Sequence, residues 1–99
     1  MKLLICGKAS SSTVFNLLDS ITKTRPISMI MSSGRPDAAT HAVNWALKHK
    51  IQRCLIPRDD VALLRQKPDL VISFQVDERD ADLITNAKGA KITCFAANS

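Results

Sequence analysis

The sequence predicts a three-layer α/β fold: one five-stranded parallel sheet, strand order 3-2-1-4-5, with helices on both faces. Three observations predict it. Five short runs, at residues 2–6, 27–31, 51–56, 70–74 and 91–95, are mainly apolar without strict alternation, as expected of strands buried on both sides. The stretches between them carry apolar residues at helical spacing. Strand and helix then alternate throughout, which parallel pairing demands because each crossover must carry the chain back to the starting edge. With right-handed crossovers, 3-2-1-4-5 is the economical arrangement.

The elements follow in order. Residues 2–6 form a strand closed by Gly7. The hydroxyl-rich residues 8–13 are suited to cap a helix, whose stripe is Val14, Leu17, Leu18 and Ile21 and whose end is set by Arg25-Pro26. After strand 27–31, residues 32–37 turn into a second helix with the stripe Ala39, Ala42, Val43, Ala46 and Leu47. Trp45 is expected to be partly buried on it. Lys48, His49 and Lys50 suit the negative end of its dipole. Strand 51–56 closes at Pro57, and a short helix over 59–66 turns Val61 and Leu64 inward. Pro68-Asp69 breaks the chain before strand 70–74. A polar loop over 75–80 leads to a fourth helix marked by Ala81, Ile84 and Ala87, with Gly89 as its C-cap. Strand 91–95 is last, and residues 96–99 are expected to fray.

Ninety-nine residues fit one domain, 1–99, large enough for a core without staples. At 45% hydrophobic and 23% charged the composition is that of a globular protein, not a disordered one. No apolar run approaches the ~20 residues of a membrane span, and no signal-like segment opens the chain, so a cytoplasmic location is expected. The net charge of +5 is unevenly spread: residues 1–57 hold eight Lys/Arg against two Asp/Glu, and residues 58–99 six against seven. A basic first half points to an anionic partner. Cys6, Cys54 and Cys94 have neither CxxC nor zinc spacing, so no metal is expected. They read as small buried hydrophobes in a reducing compartment.

In such a sheet, ligands bind beyond the carboxyl ends of the strands where the winding reverses, here between strands 1 and 4. Two loops there have the makings of an anion site. The first offers Gly7, Lys8, Ser10, Ser11, Ser12 and Thr13; the second offers Ser33, Gly34 and Arg35. They supply small residues for close backbone approach, hydroxyl donors, a helix N-terminus and two cations. A helix cap alone would also account for residues 10–13. The third loop, Gln75-Val76-Asp77-Glu78-Arg79-Asp80, is acidic. Asp77, Glu78, Asp80 and, just beyond it, Asp82 suit a solvated helix start or the oxygen ligands of a divalent cation. Neither serine loop is GxGxxG or a P-loop, and no serine has a GxSxG context. His41 and His49 fall on a helix surface, away from the cleft, so no catalytic residue is assigned. With three Phe, one Trp and no Tyr, base stacking has little to work with, and nucleic acid ranks behind a small ligand.

Leu4-Ile5-Cys6-Gly7, Gly34, Trp45-Ala46 and Pro68-Asp69-Leu70-Val71-Ile72-Ser73-Phe74 together resemble the small YspA/YpsA-related branch of the SLOG superfamily. Ala81-Asp82 and Gly89 match that pattern too, while Ser33 stands where the family has a glycine. The superfamily has Rossmann-like domains and includes DNA-processing protein A and the Lonely-guy phosphoribohydrolases. The resemblance implies recognition of a nucleotide or nucleotide-derived ligand. Gln75 to Asp80 stands in place of the family's phosphate-holding glycine loop, so binding without catalysis and without a cofactor is expected. The alternatives are a protein-interaction or inhibitor module, of a kind encoded by phages and mobile elements, with a vestigial pocket and a homo-oligomeric or protein partner; and, behind it, a hydrolase of nucleotide N-glycosidic bonds.

Overall fold

The computed structural model describes residues 1–32, 38–56, 60–74 and 78–97. Nine elements alternate: β1 (Lys2–Cys6), α1 (Ser11–Thr24), β2 (Met29–Ser32), α2 (Ala38–Lys48), β3 (Gln52–Leu55), α3 (Asp60–Arg65), β4 (Leu70–Ser73), α4 (Glu78–Gly89) and β5 (Thr93–Ala96). The sheet is parallel throughout, in the order β3-β2-β1-β4-β5.

Period-two alternation along β1 divides the core in two. Leu3 and Ile5 face α1 and α2, joining Val14, Leu18, Ile30, Trp45 and Ile72. Leu4 and Cys6 face α3 and α4, joining Met31, Leu63, Val71, Leu83 and Ala87. Each fully buried large side chain contributes roughly 1.5–3 kcal/mol. Helix α1 follows its expected stripe, with Val14 and Leu18 fully buried. Arg25 closes it in extended conformation, its N–H donating to the Ile21 carbonyl.

Three helix faces differ from expectation. On α2 the buried positions are Ala38, Ala39, Ala42, Trp45 and Ala46, while Leu47 is 52% exposed. Trp45 is fully buried because its large ring outweighs a leucine, and its indole N–H reaches Asp19 Oδ1 at 2.9 Å. On α3 the inward residue is Leu63; Val61 is exposed and Leu64 only partly buried. On α4 Leu83 is buried with Ala87, Ile84 is partly covered and Ala81 is exposed. Helix α4 also begins at Glu78, inside the expected loop.

The two edge strands are open to solvent. Leu55 of β3 and Phe95 of β5 are exposed, and only Cys54 and Cys94 pack inward from those strands. Both cysteines are therefore half-buried, in contrast to Cys6, and all three are free thiols. At the end expected to fray, Ala96 is paired in β5 and the Ala97 N–H donates to the Ser73 carbonyl at 2.7 Å.

Helices α2, α3 and α4 end alike. The residues after their last turns, Lys50, Lys67 and Lys91, have φ of 57°, 54° and 63°. The Ile51 N–H returns to the Ala46 carbonyl and the Ile92 N–H to the Ala87 carbonyl, the six-to-one bond of a Schellman ending. Gly89, expected as the cap of α4, lies within the helix, and the left-handed position falls two residues later at Lys91. After α3 the corresponding donor would be residue 68, a proline, and only the Lys67 N–H to Leu64 carbonyl bond forms.

Candidate functional site

The winding reverses between β1 and β4, which pair from Leu3↔Leu70 to Cys6↔Ser73. Above this joint the chain leaves β1 through Gly7, which is buried with φ 96°. A left-handed residue is needed there, and glycine meets that need without a Cβ penalty. The Gly7 carbonyl accepts the Ala38 N–H at 3.1 Å, so the first turn of α2 is tied to the loop that starts α1. Two helix N-termini thus flank one glycine turn.

Residues 10–13 have divided roles. Ser10 is the N-cap of α1, its Oγ accepting the Thr13 N–H at 3.3 Å. The same Oγ lies 2.8 Å from Thr13 Oγ1 and 3.3 Å from Ser12 Oγ. The hydroxyls of Ser10, Ser12 and Thr13 are therefore engaged with one another in the cap. Among the described residues, no acceptor serves the N–H groups of Ser11 and Ser12, and the Ser11 hydroxyl and Lys8 Nζ have no partner. These are the donors open to an anion. Ser33, Gly34 and Arg35, and the acidic stretch over residues 75–77, lie outside the described residues.

Ser32, the first residue of the expected turn, and Ser73, inside the expected strand 70–74, are not among the site residues expected from the sequence. They are the two buried polar residues in the described core, 2% and 5% exposed, and they end β2 and β4 on either side of Cys6 at the end of β1. Ser73 Oγ is 3.5 Å from the Phe95 carbonyl. A hydroxyl ending an otherwise apolar run is the signal that marks them. Cys6 Sγ is buried and lies 3.8 Å from the Ile72 carbonyl, so its position is structural. Cys94 is held above the ordinary thiol range by partial burial, which outweighs the attraction of Lys88.

His49 is exposed, 3.8 Å from Asp19, its ring centroid 4.4 Å from that of Trp45 at a tilt of 36°, far along α2 from the strand carboxyl ends. His41 is half-buried on the same helix. Among the described residues, no three His, Cys, Asp or Glu side chains gather as a metal site. No helix among them is long and apolar enough to cross a membrane. A separate apolar cleft of about 320 Å³ lies between α3 and α4, lined by Val61, Leu64, Arg65, Asn86 and Ala90.

These features define a doubly wound, Rossmann-like α/β domain with a donor-lined turn at its switch point. No family model matches the chain, and no curated protein or solved structure matches it either.

Proposed function

We propose that the chain binds a phosphate-bearing small ligand, of nucleotide or nucleotide-derived class, at the carboxyl ends of β1, β2 and β4, without catalysing its conversion. The observation that carries this reading is the pair of N–H groups on Ser11 and Ser12 that have no acceptor among the described residues, beside the left-handed Gly7 turn. A helix N-terminus supplies oriented donors and partial positive charge to an anion. Lys8, exposed in the same loop, adds a full charge. The sequence resemblance to the SLOG superfamily supports the nucleotide class, and Arg35 with Ser33 and Gly34 would complete the site from the second loop.

The test is calorimetry and thermal shift with nucleoside mono-, di- and triphosphates. Ligand at 100 times its Kd stabilises by about 2.7 kcal/mol. Ser11→Pro is the sharpest variant. Ser11 is the first helical residue, where proline is tolerated, and Ser10 already has the extended backbone that precedes proline (ψ 158°). The substitution removes one donor and keeps the helix. Binding that survives both Ser11→Pro and Lys8→Ala unchanged, or no nucleotide response at millimolar concentration, overturns the reading.

A second reading rests on the cleft between α3 and α4 and the exposed Val61 beside it. They suit a protein-interaction module, which would show a concentration-dependent mass and indifference to nucleotides.

A further inference from the structure

In a parallel sheet every helix ends at the edge where the strands begin, and this edge collects positive charge. Each helix carries a cation in its last turn: Lys23, Lys48, Arg65 and Lys88. The three left-handed lysines, 50, 67 and 91, follow α2, α3 and α4. Lys2 opens β1, and Arg25 closes α1. Nine of the fourteen Lys/Arg thus stand at one edge, where the only carboxylate by position in the chain is Asp69. That edge is +8. Among the described residues, the strand-to-helix connections and helix starts hold two cations, Lys8 and Arg79, against four carboxylates, Asp60, Glu78, Asp80 and Asp82, giving −2. Asp19 and Arg53 cancel between the two ends. Charge that looks uneven by halves of the chain is sorted more sharply by ends of the sheet.

Helix dipoles explain part of this. A last-turn cation offsets about half a negative charge at each helix C-terminus, and the effect fades beyond that turn. Four such ends amount to about −2, far short of the cations present. The left-handed lysines are not accounted for this way. A non-glycine residue in that conformation costs roughly 1–2 kcal/mol, and glycine is the favoured occupant. Lysine occupies all three left-handed non-glycine positions among the described residues. All three side chains are exposed and, among the described residues, none has a carboxylate partner. Charge is retained at this edge against local conformational preference.

We propose that the strand-start edge of the sheet is a binding surface for the phosphate backbone of duplex nucleic acid. Five strands span about 19 Å at ordinary spacing, within molecular extents of 29 × 23 × 22 Å. A duplex laid along that width presents roughly eleven phosphates, so a fixed field of cations meets several of them at once. No exposed Phe or Trp lies among the described residues of this edge, and the exposed His49 ring already packs against Trp45, so contact is with backbone rather than bases. An anionic membrane fits less well. Of the exposed large apolar residues Leu47, Leu55, Val61 and Phe95, only Leu47 lies near this edge, too little apolar surface to anchor in lipid.

The test compares the full chain with the triple variant Lys50→Gly, Lys67→Gly, Lys91→Gly, using fluorescence anisotropy on a labelled 20-base-pair duplex from 50 to 200 mM salt. The variant removes three charges at positions where glycine relieves strain, and a melt checks that it remains folded. Each lost phosphate contact lowers the salt slope by about 0.9, so the wild-type affinity falls about 40-fold more steeply across that range than the variant's. Lys8→Ala, at the opposite edge, leaves duplex affinity unchanged. No duplex binding at 50 mM salt overturns the proposal, as does a triple variant with the wild-type slope. So does a loss in Lys8→Ala equal to that of the triple variant, or capture by phosphatidylserine vesicles without capture by duplex.

Discussion

Replacing Lys50 or Lys91 with glycine should stabilise the protein, although both changes delete a side chain. At φ 57° and 63° the lysine Cβ crowds the following carbonyl, at a cost of roughly 1–2 kcal/mol that glycine does not incur. Against this, glycine widens the unfolded ensemble by about 0.4–1 kcal/mol. The side chains are exposed, so little packing is lost. The backbone bonds that define the endings, Ile51 N–H to Ala46 and Ile92 N–H to Ala87, are independent of residue type at 50 and 91. The net expectation is about 0.5–1 kcal/mol per site, or a rise of about 2–8 °C in Tm for a domain of this size. The two sites flank different helices on opposite faces of the sheet, so the double variant should show the sum within about 0.5 kcal/mol. Urea denaturation followed by circular dichroism measures it, with an unchanged m-value as the check that only stability has moved. A lower midpoint in either single variant refutes the reasoning, because it would mean that these positions are not strained in solution.

Other outcomes follow from single contacts. Leu63→Ala should cost about 2–5 kcal/mol and Val61→Ala less than about 0.5 kcal/mol, since α3 buries the first and exposes the second; paired denaturation curves decide it. Ser10→Ala should cost about 1 kcal/mol by removing the α1 cap while leaving the Ser11 and Ser12 donors in place, read by the same assay. The Cys94 thiol, held above its ordinary range mainly by burial, should alkylate with iodoacetamide half-maximally at higher pH than a free thiol, and Lys88→Gln should move that midpoint higher still. Its raised value means that the folded state keeps the proton more tightly. The associated stability is fully present below the ordinary thiol value and is lost as pH rises through the folded one.

Most of the architecture was legible because it rests on long-range pattern. Apolar runs separated by helical stripes have one economical parallel arrangement, and the strands fall within two residues of where composition places them. Helix phase was harder to read. Six residues of α3 hold less than two turns, so Val61 and Leu64 fit a stripe as well as Leu63 does until the sheet chooses. On α2, Trp45 rotates the buried face toward itself because a large ring gains more from burial than Leu47. The exposure of β3 and β5 comes from lying at the edges, and Gln52, Arg53 and Thr93 are its trace in the sequence, while exposed Leu55 and Phe95 give no sign of it. At the candidate site, Ser10 as cap and Gly7 as turn follow from residue chemistry. Ser32 and Ser73 are less evident, since their burial follows from which strands become neighbours.

The pairing of β1 with β4 has a kinetic consequence. It joins the β3-β2-β1 half of the sheet to the β4-β5 half through residues 67 apart, as in Leu3↔Leu70. Every other strand pair closes a shorter loop. Drawing those ends together costs about 3.7 kcal/mol of chain entropy by the logarithmic length term alone, so this seam should be the last contact formed on folding. The candidate site lies at the top of the seam, between elements on either side of it. A ligand held there would act as a clasp, slowing separation of the two halves and lengthening the native lifetime.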